Sequence, residues 1–320
     1  MRRTLNIIGA GNVGKTLGRL WTLNQTFVCQ DVLNRSIGSS QRAVSFIGAG
    51  RAIDDYADLR PADVWMIAAP DDQIMQCAEQ LAHAGSLSAG SVVFHCSGAL
   101  LSSELRAVQR LGAAAGCALP AATNGSVTAG NATPELGGAL PAATNGSAEL
   151  GCALPAVASI HPIRSFAVPA EVVQSFTGTW CGIEGDQRAL DVLIEGFSAI
   201  GAHLVPINTD FKMLYHSAAV FASNYLVTLL DVALQAYAKA GISDDVALNM
   251  IEPLVRKTVD GIFQVGPEKA LSGPIARGDL ETAARQYRAV AAWDKRYGAL
   301  YKRLGSLTAD LAARRDKPKR

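Results

Sequence analysis

Three groups of residues in this 320-residue chain have the types and spacing to do chemistry. The first is Gly9-Ala10-Gly11-Asn12-Val13-Gly14, directly after the apolar run Leu5–Ile8 and at the head of a helical pattern. Between a strand and a helix, each glycine of a GxGxxG turn has a physical task. Gly9 permits the tight turn, Gly11 lets backbone approach a pyrophosphate, and Gly14 lets helix and strand pack closely. The free N–H groups at the helix start, at the positive end of its dipole, suit a diphosphate. The expected ligand is therefore a dinucleotide.

The end of the second strand bears on which dinucleotide. An acidic residue about 20 positions past the glycines would bond an unmodified ribose 2′-hydroxyl. Here the strand ends Leu33-Asn34-Arg35-Ser36, and Asp31 lies inside the strand. Arg35 can give two parallel hydrogen bonds to a 2′-phosphate and Ser36 a third, which points to NADP(H) over NAD(H). A solvated loop charge is the other reading of Arg35.

The second group sits where ligands of open α/β sheets bind, beyond the carboxyl ends of the strands. It comprises Ala69-Pro70-Asp71-Asp72, then His95-Cys96-Ser97-Gly98, then His161-Pro162. The first set is expected along the nicotinamide ribose, with Asp71 or Asp72 as a helix N-cap. Ser97 and Gly98 are expected to open a helix whose amides hold a carboxamide or an anionic group. His161 stands where its strand ends, suited equally to a structural and a ligand contact.

The third group is Lys212, His216 and Asn224. Lys212 and His216 are spaced i,i+4 and share one helix face, and Asn224 lies two turns beyond His216. Hydride delivery to a carbonyl or imine leaves an oxygen or nitrogen that needs a proton. A partly desolvated Lys or His can supply it near neutral pH. A solvated lysine and a packed histidine are the plainer alternative.

The elements that must position these groups alternate in the first half of the chain. Strands are predicted at Leu5–Ile8, Phe27–Asn34, Val64–Ala69 and Val92–His95, separated by helices at Asn12–Leu23, Ser40–Ile47 and Ile74–Ala84. Their continuous apolar character predicts a doubly wound, mostly parallel sheet covered on both faces. Further strands are expected at Ala156–Ile160, Thr179–Ile183 and Ala202–Pro206, with a helix at Gln187–Ile200. After that the pattern is all-helical: one long helix from Asp210 to Ala240, one capped by Ser243, and two more at Leu280–Val290 and Trp293–Arg314. Residues 1–206 and 207–320 thus read as an α/β domain and an all-α domain. Between them the α/β pattern is broken over 113–157, where Ala-Leu-Pro-Ala-Ala-Thr-Asn-Gly-Ser occurs twice and starts a third time. Two copies and a fragment are too few for a solenoid, so a mobile surface insertion is expected.

Composition narrows the function classes. Lys plus Arg number 29 against 28 acids, which offers no basic face for nucleic acid. The basic run from Arg314 to Arg320 reads as a solvated terminus. The six cysteines show no metal-ligand spacing, so no metal site is expected. The apolar stretch Met213–Leu230 approaches membrane length, but its polar residues predict a buried core helix instead of a span. No signal-peptide pattern is read at the start, and a cytoplasmic protein is expected. The apolar face of the long helix predicts a homodimer.

Taken in order, several motifs resemble a known family. They are GxGxxG, Asn34-Arg35-Ser36, Ala69-Pro70-Asp71-Asp72, Cys96-Ser97-Gly98-Ala99, His161-Pro-Ile-Arg-Ser-Phe166, Lys212-Met-Leu-Tyr-His216 through Ser223-Asn224-Tyr225, and Gly273-Pro-Ile-Ala-Arg-Gly-Asp279. The group consists of bacterial Rossmann-like proteins with a C-terminal helical domain of unknown function. It is similar to ketopantoate reductase, pyrroline-5-carboxylate reductase and the β-hydroxyacid dehydrogenases. The resemblance implies an NADP-dependent oxidoreductase acting on a small, carboxylated metabolite between the domains. In the β-hydroxyacid dehydrogenases a catalytic lysine at this helix start is followed four residues later by asparagine. Lys212 matches that lysine, and His216 replaces the asparagine. The resemblance also implies that Lys212 exchanges the proton, that His216 and Asn224 orient substrate, and that Ser97 and His161 line the pocket. Arg277 and Asp279 suit either a return toward the crevice or an ordinary turn. Two rival functions stay open: an NADP(H)-binding sensor without turnover, and hydride exchange with a deazaflavin.

Overall fold

The computed structural model describes residues 1–114 and 154–315. The repetitive stretch 113–157 falls almost wholly outside the described residues. The chain forms two compact units, Met1–Ala219 and Val220–Arg320.

The first unit alternates strand and helix as its apolar runs predict: β1 (Thr4–Ile8), α1 (Asn12–Leu23), β2 (Val28–Leu33), α2 (Ile37–Ile47), β3 (Arg51–Ile53), β4 (Val64–Ile67), α3 (Asp71–His83) and β5 (Val92–His95). A 3₁₀ turn at Ser102–Leu105 leads into α4 (Arg106–Ala114). Then follow β6 (Ala156–Pro162), α5 (Pro169–Ser175), β7 (Trp180–Gly185), α6 (Gln187–Ser198) and β8 (His203–Pro206). The eight strands lie in the order β3-β2-β1-β4-β5-β6-β7-β8. Neighbours are parallel throughout except β7, which runs antiparallel to β6.

Alternation along the strands feeds two cores, one on each face. Ile7 and Phe94 join Trp21, Phe27 and Phe197 on one face, while Ile8 and Val93 join Trp65, Ile74 and Leu81 on the other. Trp21 anchors the first by stacking edge-on to Phe27 and Phe197, both at 5.2 Å, while its Nε1 donates to the Gly196 carbonyl at 2.8 Å.

Asp31 shows why an acid can sit inside a buried strand. Its side chain is fully buried, and it accepts from Arg51 Nε at 3.0 Å, Arg60 Nη2 at 2.7 Å and the Arg60 amide at 2.9 Å. Burial alone would raise its pKa, but the hydrogen bonds from Arg60 and Arg51 outweigh it and hold the carboxyl below its usual range. Asp31 thus ties β2 to β3 and to the loop before β4.

The remaining elements are helices: α7 (Lys212–Ala222), α8 (Asn224–Lys239), α9 (Asp244–Val265), α10 (Pro267–Ala270), α11 (Leu280–Trp293) and α12 (Lys295–Arg315). The first turns of α7 belong to the first unit; the second unit is entirely helical. Asp279 caps α11 by accepting from the Thr282 amide at 3.0 Å. Three expectations need correcting. The single helix over 210–240 is two, because a distorted backbone at Ser223, φ −119° and ψ −70°, interrupts it. Helical spacing therefore no longer sets where Asn224 lies relative to His216. Nor is the apolar stretch a buried core helix: Met213, Leu214, Phe221 and Val227 are all more than 60% exposed, and Lys212 is the buried residue of α7. By length and composition alone, Thr209–Lys239 is a helical stretch able to cross a membrane.

The Asp31 staple makes a direct test. Asp31→Asn should lose about 2–3 kcal/mol of unfolding free energy at pH 7, since it leaves two arginines without their counter-charge. A depressed carboxyl contributes stability above its unfolded pKa of about 4 and loses it as pH falls through the lower folded value. Urea unfolding should therefore show the gap between wild type and variant narrowing in acid; a gap constant down to pH 2 would remove the assigned role.

Candidate functional site

The glycine turn forms the cradle that its residue types predict. Gly9 has φ +80°, and a Cβ there would stand 2.7 Å from the Ala69 amide nitrogen. Its own N–H donates to the Leu33 carbonyl at 2.9 Å, fastening the turn to the end of β2. Gly14 packs against the Gly9 carbonyl and Ala68. At Gly11, in contrast, an added Cβ would meet nothing within 4 Å, so this backbone faces open space. No side chain caps α1, which leaves the first-turn amides of Asn12, Val13 and Gly14 without helical partners.

That open space is a cavity of about 880 Å³. Gly9, Ala10 and Gly11 form its floor, and Ala69 and Pro70 one wall. Asn34, Arg35 and Ser36 line the far end together with Ser39 and Arg42 from the next turns of α2. Asn34 Nδ2 is buried with no protein partner, an orphaned donor beside the cavity. Ser36 caps α2 by position, yet its hydroxyl makes no cap hydrogen bond. Asp54 and Asp55 line the same end, and Asp54 Oδ2 accepts from the Ile37 amide at 3.1 Å. Asp31 is not among the lining residues. A backbone cradle, an uncapped helix start, two arginines and an orphaned amide fit a phosphorylated dinucleotide. Arg42 went unread in the sequence, although its place two turns into α2 from Ser36 was a usable signal.

Beyond the carboxyl ends of β4, β5 and β6 lies a chain of polar contacts within the first unit. Two local expectations change here. Pro70 occupies the N-cap of α3, so Asp71 is a first-turn residue, and its Oδ2 accepts from Ser97 Oγ at 2.8 Å. No helix starts at Ser97 and Gly98. The Ser97 hydroxyl accepts from the amides of Ala99 and Leu100 at 3.1 and 3.0 Å, and so holds a loop in place of a helix. His95 beneath it is fully buried: its Nδ1 accepts from the Ser97 amide and its Nε2 donates to the Leu101 carbonyl. Burial is the main cause that pushes the His95 pKa down to about 4, leaving a neutral ring that shapes the loop.

Lys212, read in the sequence as proton donor, has its Nζ 2.7 Å from Glu184 Oε1 and 2.6 Å from Ser159 Oγ, with 1% of the residue exposed. Glu184 also accepts from the Ser102 amide and hydroxyl, both at 2.7 Å. Ser159 Oγ in turn donates a hydrogen bond to the Ser97 carbonyl at 3.2 Å. Burial lowers the lysine pKa against the opposing pull of Glu184. Glu184 and Ser159 were not read from the sequence, although a lone acid in the apolar strand Trp180–Gly185 is a signal of a buried partner.

One turn along α7, His216 meets Gly98. A Cβ on Gly98 would run into His216 Nδ1 and would lie 2.8 Å from His161 Nε2. The two imidazoles stand edge to face with centroids 5.5 Å apart, and His216 Nδ1 is buried without a partner. His161 Nδ1 contacts Tyr215 Oη at 2.9 Å. Burial, then the neighbouring His216 and Lys212, push the His161 pKa down to about 4. Burial pushes Tyr215 up to about 12. The structure thus gathers Asp71, Ser97, His161, Lys212 and His216 and adds Tyr215. Asn224 opens α8 in the second unit. Among the described residues no cluster has the make-up of a metal site.

Comparison with known proteins finds two family models. A Rossmann-like domain model matches residues 1–120, and a model described as a domain of unknown function, DUF2520, matches residues 179–308. Each model thus covers a separate part of the chain, and each less than half of it. No curated protein matches it. Among solved structures it is similar to a Thermotoga maritima protein, with TM-score 0.67 and 22% identity, over 98% of this chain and 100% of that one. A Bacteroides fragilis protein assigned as an NADP oxidoreductase gives TM-score 0.66 and 16% identity over 97% and 98% of the chains. A Plasmodium falciparum pyrroline carboxylate reductase with NADP bound gives 0.53 and 9% over 97% and 98%. These likenesses establish the fold.

Lys212→Met should lower unfolding free energy by about 3–5 kcal/mol, because it strands the Glu184 carboxylate in the interior. Adding Glu184→Gln should recover part of that loss, a coupling readable in a double-mutant cycle by urea denaturation. Strictly additive losses would mean that the two charges do not support each other.

Proposed function

We propose that this chain is an NADP(H)-dependent oxidoreductase that transfers a hydride between the nicotinamide cofactor and a small, carboxylated metabolite. The observation that carries the reading is the uncapped start of α1 behind Gly11, open to a cavity whose far end holds Arg35, Ser36 and Arg42. The NADP in the Plasmodium reductase and the assignment of the Bacteroides protein support it by analogy of fold.

In this reading the amides of the Gly9–Gly14 turn hold the pyrophosphate, with Ala10, Asn12 and Val13 in the turn itself. Arg35 and Arg42 pair with a 2′-phosphate, Ser36 donates from its free hydroxyl, and Asn34 Nδ2 finds its missing partner there. Ala69 and Pro70 line the ribose of the nicotinamide half, with Asp71 and Ser97 beyond them. When bound, the cofactor supplies or accepts the hydride. Lys212 serves as a positioning residue: its pair with Glu184 pins α7 so that His216 reaches Gly98 and Tyr215 reaches His161 and Gly182. His216 lines the substrate side.

We further propose that a second copy of the chain covers the apolar face of α7 and α8. Ser217, Asn224, Thr228, Asp231 and Gln235 interrupt that face, which suits a protein partner better than lipid. This fits a cytoplasmic homodimer, and sedimentation equilibrium should give twice the chain mass; a monomer at micromolar concentration would refute it.

Titration calorimetry of the intact protein should show NADPH binding at least about tenfold tighter than NADH. The double variant Arg35→Ala, Arg42→Ala should erase that preference while leaving NADH affinity within about twofold. Equal affinity in wild type, or tighter NADH binding, would end the NADP reading. With NADPH, a panel of keto acids and cyclic imines should include one that consumes the cofactor; tight binding with no consumption would favour a sensor.

A further inference from the structure

We propose that His161, backed by Tyr215, is the residue that hands a proton to the substrate. The proposal rests on the oxidoreductase reading above and goes beyond it by naming the acid, its protonation state and its source of protons.

The argument begins with which atom carries the imidazole proton. Tyr215 Oη lies 2.9 Å from His161 Nδ1. The backbone N–H of Gly182 faces the same phenol oxygen, and among the described residues the hydroxyl has no acceptor other than His161. The phenol therefore donates to Nδ1, and the ring carries its own proton on Nε2. The ring edge made of Cε1 and Nε2 faces Gly98, just past the carboxyl end of β5, where a doubly wound sheet places the reactive end of its ligand. Gly98 has no side chain to cover it. The other candidates are less suited. Both contacts of Lys212 Nζ point into the interior, and His216 Nδ1 is sealed against Gly98.

The charged groups around His161 favour the neutral ring. His216 and Lys212, both on α7, disfavour an imidazolium, and Asp71 on α3 opposes them weakly. Burial adds the largest push in the same direction as the cations. A neutral imidazole donates a hydrogen bond without bringing a full charge, and it stays competent across the physiological range.

The step balances as follows. Hydride from the reduced pyridine nucleotide adds to a carbonyl carbon, and the C=O π pair moves to oxygen. The Nε2–H bond breaks as that oxygen gains its proton. The Tyr215 O–H bond breaks in concert and a bond forms between Nδ1 and the phenol proton, so the ring ends neutral. The tyrosinate, disfavoured by the burial that pushes its pKa up, takes a proton back from water, and solvent neutralises the hydroxide left behind. In the oxidation direction each transfer reverses.

Two measurements on the full-length protein test this. Nitrogen-15 labelling of its five histidines, with His161→Gln for assignment, reads protonation state and tautomer directly. The expected result is a neutral His161 protonated on Nε2 from pH 5.5 to 8, and mixed tautomers in Tyr215→Phe. An imidazolium at pH 6, or a proton resident on Nδ1, overturns the proposal. With the keto acid found to consume NADPH, Tyr215→Phe should lower kcat about 100-fold with KM nearly unchanged, and wild-type kcat should stay flat from pH 5.5 to 8. Full turnover in Tyr215→Phe overturns the relay alone, because NADPH binding and consumption by wild type remain. If calorimetry detects no NADPH binding to wild type, the oxidoreductase reading falls and takes the relay with it.

Discussion

The arrangement of the polar site depends on one buried ion pair, Lys212 with Glu184. Four parts of the chain meet at it: Glu184 from β7, Lys212 from α7, Ser159 from β6, and Ser102 from the turn after β5. Removing two charges from water is costly, and a hydrophobic pair of the same volume often does as well for stability. What such a pair supplies is direction. Glu184 has both oxygens committed and Lys212 has two of its three protons committed, so the start of α7 has one register on the sheet. Tyr215 and His216 inherit that register, being three and four residues further along the same helix.

The same pair shapes the electrostatics around it. Burial is the main cause that keeps His95 and His161 uncharged; Lys212 adds to it, and Asp71 is too weakly felt to reverse it. His95 and His161 are both pushed to about 4, yet only one is available for chemistry. His95 has both nitrogens bound to its own loop. His161 has only Nδ1 bound, by a side chain able to replenish a proton. Identical shifts thus accompany different roles, and the hydrogen-bond partners decide between them.

The glycine turn between strand and helix is legible from residues alone, because Gly9 and Gly14 leave no room for a side chain and Gly11 keeps the backbone open. The helix Asn12–Leu23 and the strand Val92–His95 are likewise readable, since continuous apolar runs between turn residues leave few alternatives. The polar cluster is another matter. Lys212 reads as a solvated or catalytic lysine until Glu184 is known to face it across 28 positions of sequence. Tyr215 lies between Lys212 and His216, and only the antiparallel turn of β7 against β6 brings Gly182 and His161 to it. The break at Ser223 is invisible for a different reason: serine is tolerated within helices, so its identity does not mark the place where backbone angles change.

At the other end of the crevice, net charge does not explain why a phosphate would be preferred. Arg35 and Arg42 share the cavity with Asp54 and Asp55, so the formal charges there cancel. The difference lies in what each group can still do. Asp54 already accepts from the Ile37 amide, and Asp55 from the Ala57 amide at 2.9 Å. Each carboxylate has one oxygen engaged by the backbone around β3 and the head of α2. Neither arginine has an ion-pair partner among the described residues, the Ser36 hydroxyl makes no cap bond, and Asn34 Nδ2 lacks any partner. An unmodified 2′-hydroxyl could satisfy one of these donors, whereas a phosphate oxygen cluster can satisfy several at once. In the proposed NADP reading, selectivity at this end would be a matter of how many donors stand unpaired.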